Sequence, residues 1–221
     1  MEIIDLTYTI KEGMTTFSSH WHPIVEITQV GRHGFEGRET RKLVLGTHTG
    51  THMDAPRHFV KDGKTINDIT LQQLIGPVDI LDFTFLKENE FVSKDMLQDK
   101  ITKDKIIFKF GWGKYWGTSK FYNDYPFISE EAAKYIIEQG VKLVGLDTAS
   151  PDDGRTKLEK NILGTSKDSP VHKIFLGNEV ILVEYLANLE KVDTFDDWNI
   201  MVMPLKIENG DGAPVRACIY K

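Results

Sequence analysis

Short runs of alternating apolar and polar residues recur along the chain, and each has the length of one β-strand. Alternation places the apolar side chains on one face of a sheet, because successive side chains of a strand point to opposite sides. The run at residues 180–184 is apolar until its last position, which predicts a buried strand. The predicted strands cover residues 2–8, 24–30, 41–48, 78–83, 105–110, 141–147, 180–184, 199–207 and 215–220.

Helical spacing is clearest after Ser129. Serine is a preferred N-cap residue, two glutamates follow it in the first turn, and Gly140 ends the predicted helix. A shorter helix is predicted at residues 69–75. Two more are predicted to begin at serine N-caps, one from Ser93 to about residue 99 and one from Ser169 to Gly177. Residues 31–37 are predicted as a turn or loop. Because strands and helices are interspersed without repeats or a linker, we predict one α/β domain over residues 1–221.

The composition is that of an ordinary soluble protein. The 221 residues are 40% hydrophobic and 27% charged, which suffices for a sizeable core. A formal charge of −6 without a basic stripe disfavours nucleic acid as a partner, and no run is long enough to span a bilayer. Cys218 is the single cysteine, which excludes an intrachain disulfide, and the chain starts without signal-peptide features. We therefore expect a cytoplasmic protein with neither nucleic acid nor membrane as a partner.

The candidate chemistry is concentrated in residues 45–59, which hold three of the seven histidines and an aspartate. His48, Gly50, His52 and Asp54 would share one face of an extended segment. His48 and His52 would also share a helix face, but the threonines, Gly50 and Pro56 argue against a helix. We therefore predict a segment that leaves a strand and then curls.

A shared metal ion would force this curl. Six extended residues span roughly 20 Å, whereas bonds from a metal to nitrogen or oxygen are only about 2 Å long. Gly50 lies where the chain must reverse, and glycine adopts positive φ readily. Two imidazoles and a carboxylate suit a catalytic metal, although the same residues could simply hydrogen-bond within a strand and a turn.

Residues 48–59 resemble the signature of the cyclase family of metal-dependent hydrolases. Further stretches similar to that family lie near residues 143–152, 170–186 and 210–217. The resemblance implies the swivelling β/β/α fold with a mixed, partly barrel-like sheet, and it implies a homodimer. It also implies hydrolysis of a small amide, most of all an aryl formamide such as N-formylkynurenine.

The resemblance further implies a set of site residues. The ligands of one or two divalent ions, with zinc favoured and manganese the alternative, would be His48, His52, Asp54, His172 and Glu184. His58 is the candidate general acid/base, and its other possible role is a further ligand or an outer hydrogen-bond donor. Asp147 and Ser150 are expected to support the ligands from outside.

Two loops supply candidate residues for binding a small-molecule substrate. Trp21 lies in a loop with His20 and His22, where kynurenine formamidases carry a different segment, and this loop would help to shape the substrate pocket. Trp112 lies in a glycine-rich aromatic loop and could form a pocket wall or pack in the core. The alternatives are a cyclic amide hydrolase similar to isatin hydrolase, or a metal-binding protein without turnover. A metallopeptidase is disfavoured, because the chain has no His-Glu-x-x-His helix.

Overall fold

The structure is a computed structural model that describes residues 1–17, 21–158 and 162–221. The strands are β1 (Ile3–Asp5), β2 (Glu26–Gly31), β3 (Thr40–Val44), β4 (His52–Asp54), β5 (Ile75–Pro77), β6 (Asp79–Asp82), β7 (Phe91–Val92), β8 (Lys105–Lys109), β9 (Phe127–Ile128), β10 (Leu143–Leu146), β11 (Ile181–Glu184), β12 (Asn199–Pro204) and β13 (Gly212–Tyr220). The α-helices are α1 (His33–Glu36), α2 (Leu71–Leu74), α3 (Ser119–Asn123), α4 (Glu130–Glu138) and α5 (Pro170–Gly177). Across these ranges, none of the helices has the length and apolar character needed to cross a bilayer.

Nine strands of the described residues form one mixed sheet in the order β5, β12, β13, β4, β11, β10, β8 and β6, with β1 paired to β13. Strands β6, β8, β10 and β11 run parallel, whereas β4, β13, β12 and β5 pair antiparallel. The end strands β5 and β6 are separated in sequence by Val78 alone, so the sheet curls until its ends come together. This arrangement confirms the predicted α/β class and the partly barrel-like mixed sheet.

Alternation along the parallel strands fills two cores. Ile106 and Phe108 of β8 face a core that also contains side chains of helices α4 and α5, whereas Ile107 between them faces the barrel interior. In β11, Leu182 faces the helix side and Val183 the interior. The apolar run at 180–184 is therefore buried on both faces, as its composition predicts.

The prediction that a strand at residues 41–48 leads directly into the histidine motif is wrong. Strand β3 ends at Val44 and pairs only with β2 in a separate two-stranded ribbon, whereas the histidine motif reaches the main sheet on its own strand, β4. A turn separates the two strands. Gly50 lies in this turn with φ 60°, the positive φ that is expected of this glycine where the chain reverses. The ribbon tip contains the single helical turn α1 where a loop is predicted.

Two predicted helix caps also differ. Ser129 caps α4 as expected, with its Oγ accepting from the Ala132 amide. Ser169 adopts φ 50° and makes no cap bond, so the free amides of α5 are bound by the Asp152 carboxylate instead. Ser93 likewise makes no cap bond, and Lys94–Leu97 forms one turn of 3-10 helix instead of an α-helix.

Candidate active site and metal centre

Strand β4 supplies the centre of the site because it lies between β11 and β13. His52 is directly opposite Glu184, and Asp54 is opposite both Leu182 and Gly212. His52, Asp54 and Glu184 therefore share the face of the sheet that α5 covers, while Met53 between them points into the barrel interior. Residues far apart in sequence meet here because β4 and β11 are neighbours.

The donor atoms converge closely. His52 Nε2 lies 3.4 Å from Asp54 Oδ1 and 3.3 Å from Glu184 Oε2. His172 on α5 presents its Nε2 to the other oxygen of each carboxylate, at 3.5 Å from Asp54 Oδ2 and 3.1 Å from Glu184 Oε1. Ligands bonded at about 2.1 Å to one ion lie about 3.4 Å apart in tetrahedral geometry and roughly 3.0 Å apart in octahedral geometry. The observed spacings match those of a first coordination shell.

His48 and His58 form a second group with the same aspartate. His48 Nδ1 lies 2.7 Å from Asp54 Oδ1, and the rings of His48 and His58 are 3.9 Å apart at their centroids. Potential ligand atoms of His48, Asp54 and His58 all lie within 4.8 Å of one another, as do those of His52, Asp54 and Glu184. Asp54 is thus common to both groups and would supply a ligand whether one ion or two were bound.

Two buried oxygens test whether a cation fits. Asp54 Oδ2 and Glu184 Oε1 are buried, and although His172 Nε2 lies 3.5 Å and 3.1 Å from them, neither accepts a well-aligned hydrogen bond from a described residue. A buried carboxylate is costly unless it is paired or bound to a metal. A divalent cation among these atoms would satisfy both oxygens, and the oxygen and nitrogen donors suit zinc or manganese. The residues present therefore fit the expected group.

The electrostatics also favour a cation. Burial lowers the pKa of His48, but Asp54 and Asp211 outweigh burial and raise that pKa to about 10. For His172 burial is likewise outweighed, by the hydrogen bond to Asp152 and by Asp54 and Glu184, so its pKa lies well above the usual value. Burial works against ionisation of Asp54, yet the adjacent histidines hold its pKa well below normal. A field that holds protons on buried imidazoles also attracts a metal ion.

Each candidate histidine ligand has its outer nitrogen bound to an oxygen. His52 Nδ1 lies 2.8 Å from the Gly50 carbonyl oxygen, and His172 Nδ1 lies 2.5 Å from Asp152 Oδ2. His48 Nε2 lies 2.8 Å from Asp211 Oδ2. Such outer partners fix the ring orientation and leave the other nitrogen free for a metal.

The supporting residues lie one step further out. Ser150 Oγ accepts from the Asp152 amide, so it positions the partner of His172. Asp147 accepts from the amides of Phe110 and Trp112 and thereby ties down the loop after β8. Burial raises the pKa of Asp147 to about 6, although these backbone hydrogen bonds oppose the shift. The supporting roles of Asp147 and Ser150 stay predictions.

The two tryptophans predicted to bind substrate lie in different environments, Trp21 exposed and Trp112 buried. Trp21 is 54% exposed and its ring lies 6.3 Å from that of His22, which in turn is 6.1 Å from His48. Trp112 is buried in the helix-side core against Tyr115, which matches the packing alternative better than a pocket wall. His20, the other loop histidine, lies outside the described residues.

Some site residues are missed by sequence reasoning. Asp211 binds His48 and His58, Asp152 binds His172, and aromatic rings of Phe59 and Tyr185 lie 5.0 Å from His172 and 5.1 Å from His52. Asp152 and Asp211 both fall in stretches that resemble the cyclase family, which is the signal that could have identified them.

Comparison with known proteins agrees with this geometry. Residues 4–153 match the family described as "Putative cyclase". This chain belongs to the cyclase family. It is 31% identical to a kynurenine formamidase from Geobacillus thermodenitrificans over 180 residues, which cover 81% of this chain and 79% of that protein.

Solved structures extend the comparison to the whole fold. A crystal structure of an isatin hydrolase bound to the product analogue thioisatinate superposes with a TM-score of 0.87 at 23% identity, covering 99% of this chain and 91% of that one. A predicted metal-dependent hydrolase from Bacillus stearothermophilus superposes with a TM-score of 0.77 at 26% identity, covering 99% and 97%. The cyclase-family fold is therefore confirmed, and the chain is a hydrolase of this family.

Proposed function

We propose that this chain hydrolyses the C–N bond of an aryl formamide, with N-formylkynurenine giving kynurenine and formate as the reference reaction. The observation that carries the proposal is the convergence of His52, His172, Asp54 and Glu184 beside His58. The curated relatives named kynurenine formamidase support the substrate class.

The proposed cofactor is one or two divalent ions, with zinc favoured and manganese the alternative. His48, His52, Asp54, His172 and Glu184 would hold them, with Asp54 shared between the two groups. When bound, such an ion supplies Lewis acidity that activates water and polarises the formyl carbonyl. The description of the Bacillus stearothermophilus neighbour as metal-dependent supports this cofactor.

His58 is proposed to carry the proton. Its side chain is 25% exposed, and its Nδ1 lies 3.1 Å from Asp211 Oδ2, which leaves Nε2 available to the substrate. Nε2 takes a proton from the attacking water as the new C–O bond forms, and it returns that proton to the leaving nitrogen as the C–N bond breaks. The products are formate and the aryl amine.

Aromatic side chains near the histidines favour an aryl substrate. The ring of Phe59 lies 4.6 Å from His58 and 5.0 Å from His172, and Tyr185 packs edge-on to His52. The ring of His22 lies 6.1 Å from that of His48 and 6.3 Å from that of Trp21, and Trp21 and His22 are proposed to cover the ring of the bound substrate.

A turnover assay tests the proposal. Protein loaded with zinc or with manganese is given N-formylkynurenine, an aliphatic formamide of similar size, and isatin, and product formation is followed for each. We expect N-formylkynurenine to be hydrolysed fastest and metal removal by a chelator to abolish turnover. Elemental analysis of chelator-free protein should find one or two divalent ions per chain.

The other outcomes separate the alternatives. Preferential hydrolysis of isatin would replace the formamide with a cyclic amide as substrate. Equal turnover of aryl and aliphatic formamides would contradict the aryl pocket. Bound metal without turnover of any of the three would favour a metal-binding protein, and full activity without metal would overturn the proposed chemistry.

A further inference from the structure

Asp211 connects the metal centre to the proposed proton carrier through a single oxygen atom. Its Oδ2 lies 2.8 Å from His48 Nε2 and 3.1 Å from His58 Nδ1. We propose that Asp211 is a positioning residue that orients both the ligand His48 and the acid/base His58. This inference rests on the proposed function for the role of His58.

The backbone around Asp211 fixes where its carboxylate can point. The Asp211 carbonyl accepts from the Ala55 amide at 2.9 Å, directly after β4, and the next residue, Gly212, is paired with Asp54. A Cβ atom at Gly212 would lie 2.7 Å from His48 Cε1 and 2.9 Å from the Met53 carbonyl oxygen. The backbone therefore approaches the His48 ring so closely that only glycine fits. Asp211 is held against both histidines by the same turn.

For His48, the bond to Asp211 decides which nitrogen faces the carboxylates. In the neutral form, which a metal ligand must adopt, an imidazole that donates from Nε2 carries its lone pair on Nδ1. His48 Nδ1 is the atom that lies 2.7 Å from Asp54 Oδ1, on the metal side of the ring. The arrangement repeats what Asp152 does for His172 with the opposite nitrogen. Loss of Asp211 would leave the His48 ring free to rotate or to adopt the other tautomer.

For His58, the same Asp211 oxygen binds Nδ1, the ring nitrogen that is not proposed to face the substrate. Donation from Nδ1 to Asp211 leaves the lone pair of the neutral ring on Nε2, the nitrogen that is proposed to accept a proton from water. The His48 and His58 rings are tilted against each other, with their centroids 3.9 Å apart and a 34° angle between their planes. A change in the position of the Asp211 carboxylate would therefore displace both rings together. No other carboxylate of the described residues contacts His58 at hydrogen-bonding distance.

The first test measures metal affinity in the full-length protein. Asp211→Asn preserves size but removes the negative charge, so the two N–H groups are offered only a neutral amide oxygen, which is a weaker acceptor than a carboxylate. The control is Asp82→Asn, because Asp82 also accepts two hydrogen bonds and its side chain is 36% exposed against 38% for Asp211. Competition with a chelator for Zn²⁺ should show affinity weakened by roughly 10–100-fold in Asp211→Asn and unchanged in the control. Native affinity in Asp211→Asn would overturn the role at His48.

The second test reads the His58 tautomer without any substrate. In imidazole ¹⁵N NMR spectra of the metal-loaded protein, native His58 should be protonated at Nδ1 when neutral. We expect Asp211→Asn to lose that preference, while Asp82→Asn retains it. An unchanged His58 tautomer in Asp211→Asn would overturn the role at His58, whatever substrate the enzyme uses.

The third test is a double-mutant cycle on turnover at saturating metal. Asp211→Asn should lower kcat by about tenfold or more with little change in KM, and it should have almost no further effect on kcat when His58→Ala is already present. Multiplicative losses would show that Asp211 acts independently of His58. If the native enzyme fails to hydrolyse N-formylkynurenine, the proposed function falls, and the affinity and NMR results still decide the inference.

Discussion

At the scale of single residues, His58 is the side chain whose role is most open to test. We predict that His58→Ala retains most of its metal but loses turnover by roughly a hundredfold or more, the usual effect of removing one general acid/base. The physical reason is that His52, His172, Asp54 and Glu184 converge without His58, whose Nδ1 is bound to Asp211. Elemental analysis and kcat, measured on the same sample, check this prediction.

A matched histidine substitution provides the control. His33 lies exposed on α1 in the ribbon, so His33→Ala should change neither metal content nor kcat. If His58→Ala loses its metal together with its activity, His58 is a ligand within the group formed with His48 and Asp54, and another side chain must carry the proton.

The residues that sequence reasoning finds and misses differ in a physical way. Residues 48–58 are close together in sequence, so their spacing alone indicates a shared site. Glu184 is recognisable because a carboxylate ends an apolar strand. Asp211 belongs to an Asp-Gly turn, whose composition predicts a turn whether or not its carboxylate has a partner. Its distance of 163 residues from His48 is bridged only by the pairing of β13 with β4.

At the scale of elements, Asp147 at the end of β10 should make stability depend on pH. Its carboxyl group is buried, and its pKa is raised from 3.8 to about 6. Between about pH 4 and pH 6 the native state therefore binds a proton that the unfolded chain has released, and the contribution of Asp147 to stability falls as pH rises. At 1.36 kcal/mol per pKa unit, the full loss is at most roughly 3 kcal/mol.

Asp147→Asn removes this titration but keeps an acceptor for only one of the amides of Phe110 and Trp112, which donate to different carboxylate oxygens, so a pH-independent loss of stability is also expected. We predict that the free energy of unfolding of the variant rises relative to that of the native protein as the pH increases from 4 to 7. Urea unfolding at several pH values measures the difference. Parallel curves for the two proteins between pH 4 and pH 7 would show that folding does not raise the pKa of Asp147.

Element prediction succeeds and fails for reasons of context. The runs at 105–110 and 180–184 are long and strongly apolar, and both form strands of the sheet within a residue or two of the predicted bounds. Strand β4 has three residues, two of them polar, and is specified by its neighbours β11 and β13 rather than by its own composition. The predicted Ser169 cap is not formed because the carboxylate of Asp152, from another part of the chain, accepts hydrogen bonds from the helix amides in its place.

At the scale of the whole molecule, the ribbon of β2 and β3 stands apart from the main sheet. Its strands pair with each other and are mostly exposed, with apolar side chains such as Val30, Phe35 and Leu43 in solvent. An isolated two-stranded hairpin is marginally stable in water. Residues 26–44 carry four Lys or Arg and three Asp or Glu, so the ribbon is slightly basic on a chain of net charge −6. Exposed apolar side chains on a marginally stable ribbon are what the interface of the expected homodimer would cover.

We therefore predict that the protein is a dimer in solution and that Leu43→Arg separates it into monomers. Leu43 is 55% exposed in the single chain, and an arginine there would add a charge to the face that the predicted partner would cover. Sedimentation equilibrium at micromolar concentrations should show the dimerisation constant weakened by about a hundredfold or more. The control is Leu71→Arg, at 58% exposure on α2 away from the ribbon, and it should remain dimeric. A native protein that sediments as a monomer would contradict the homodimer, and a dimer unaffected by Leu43→Arg would place its interface on another surface.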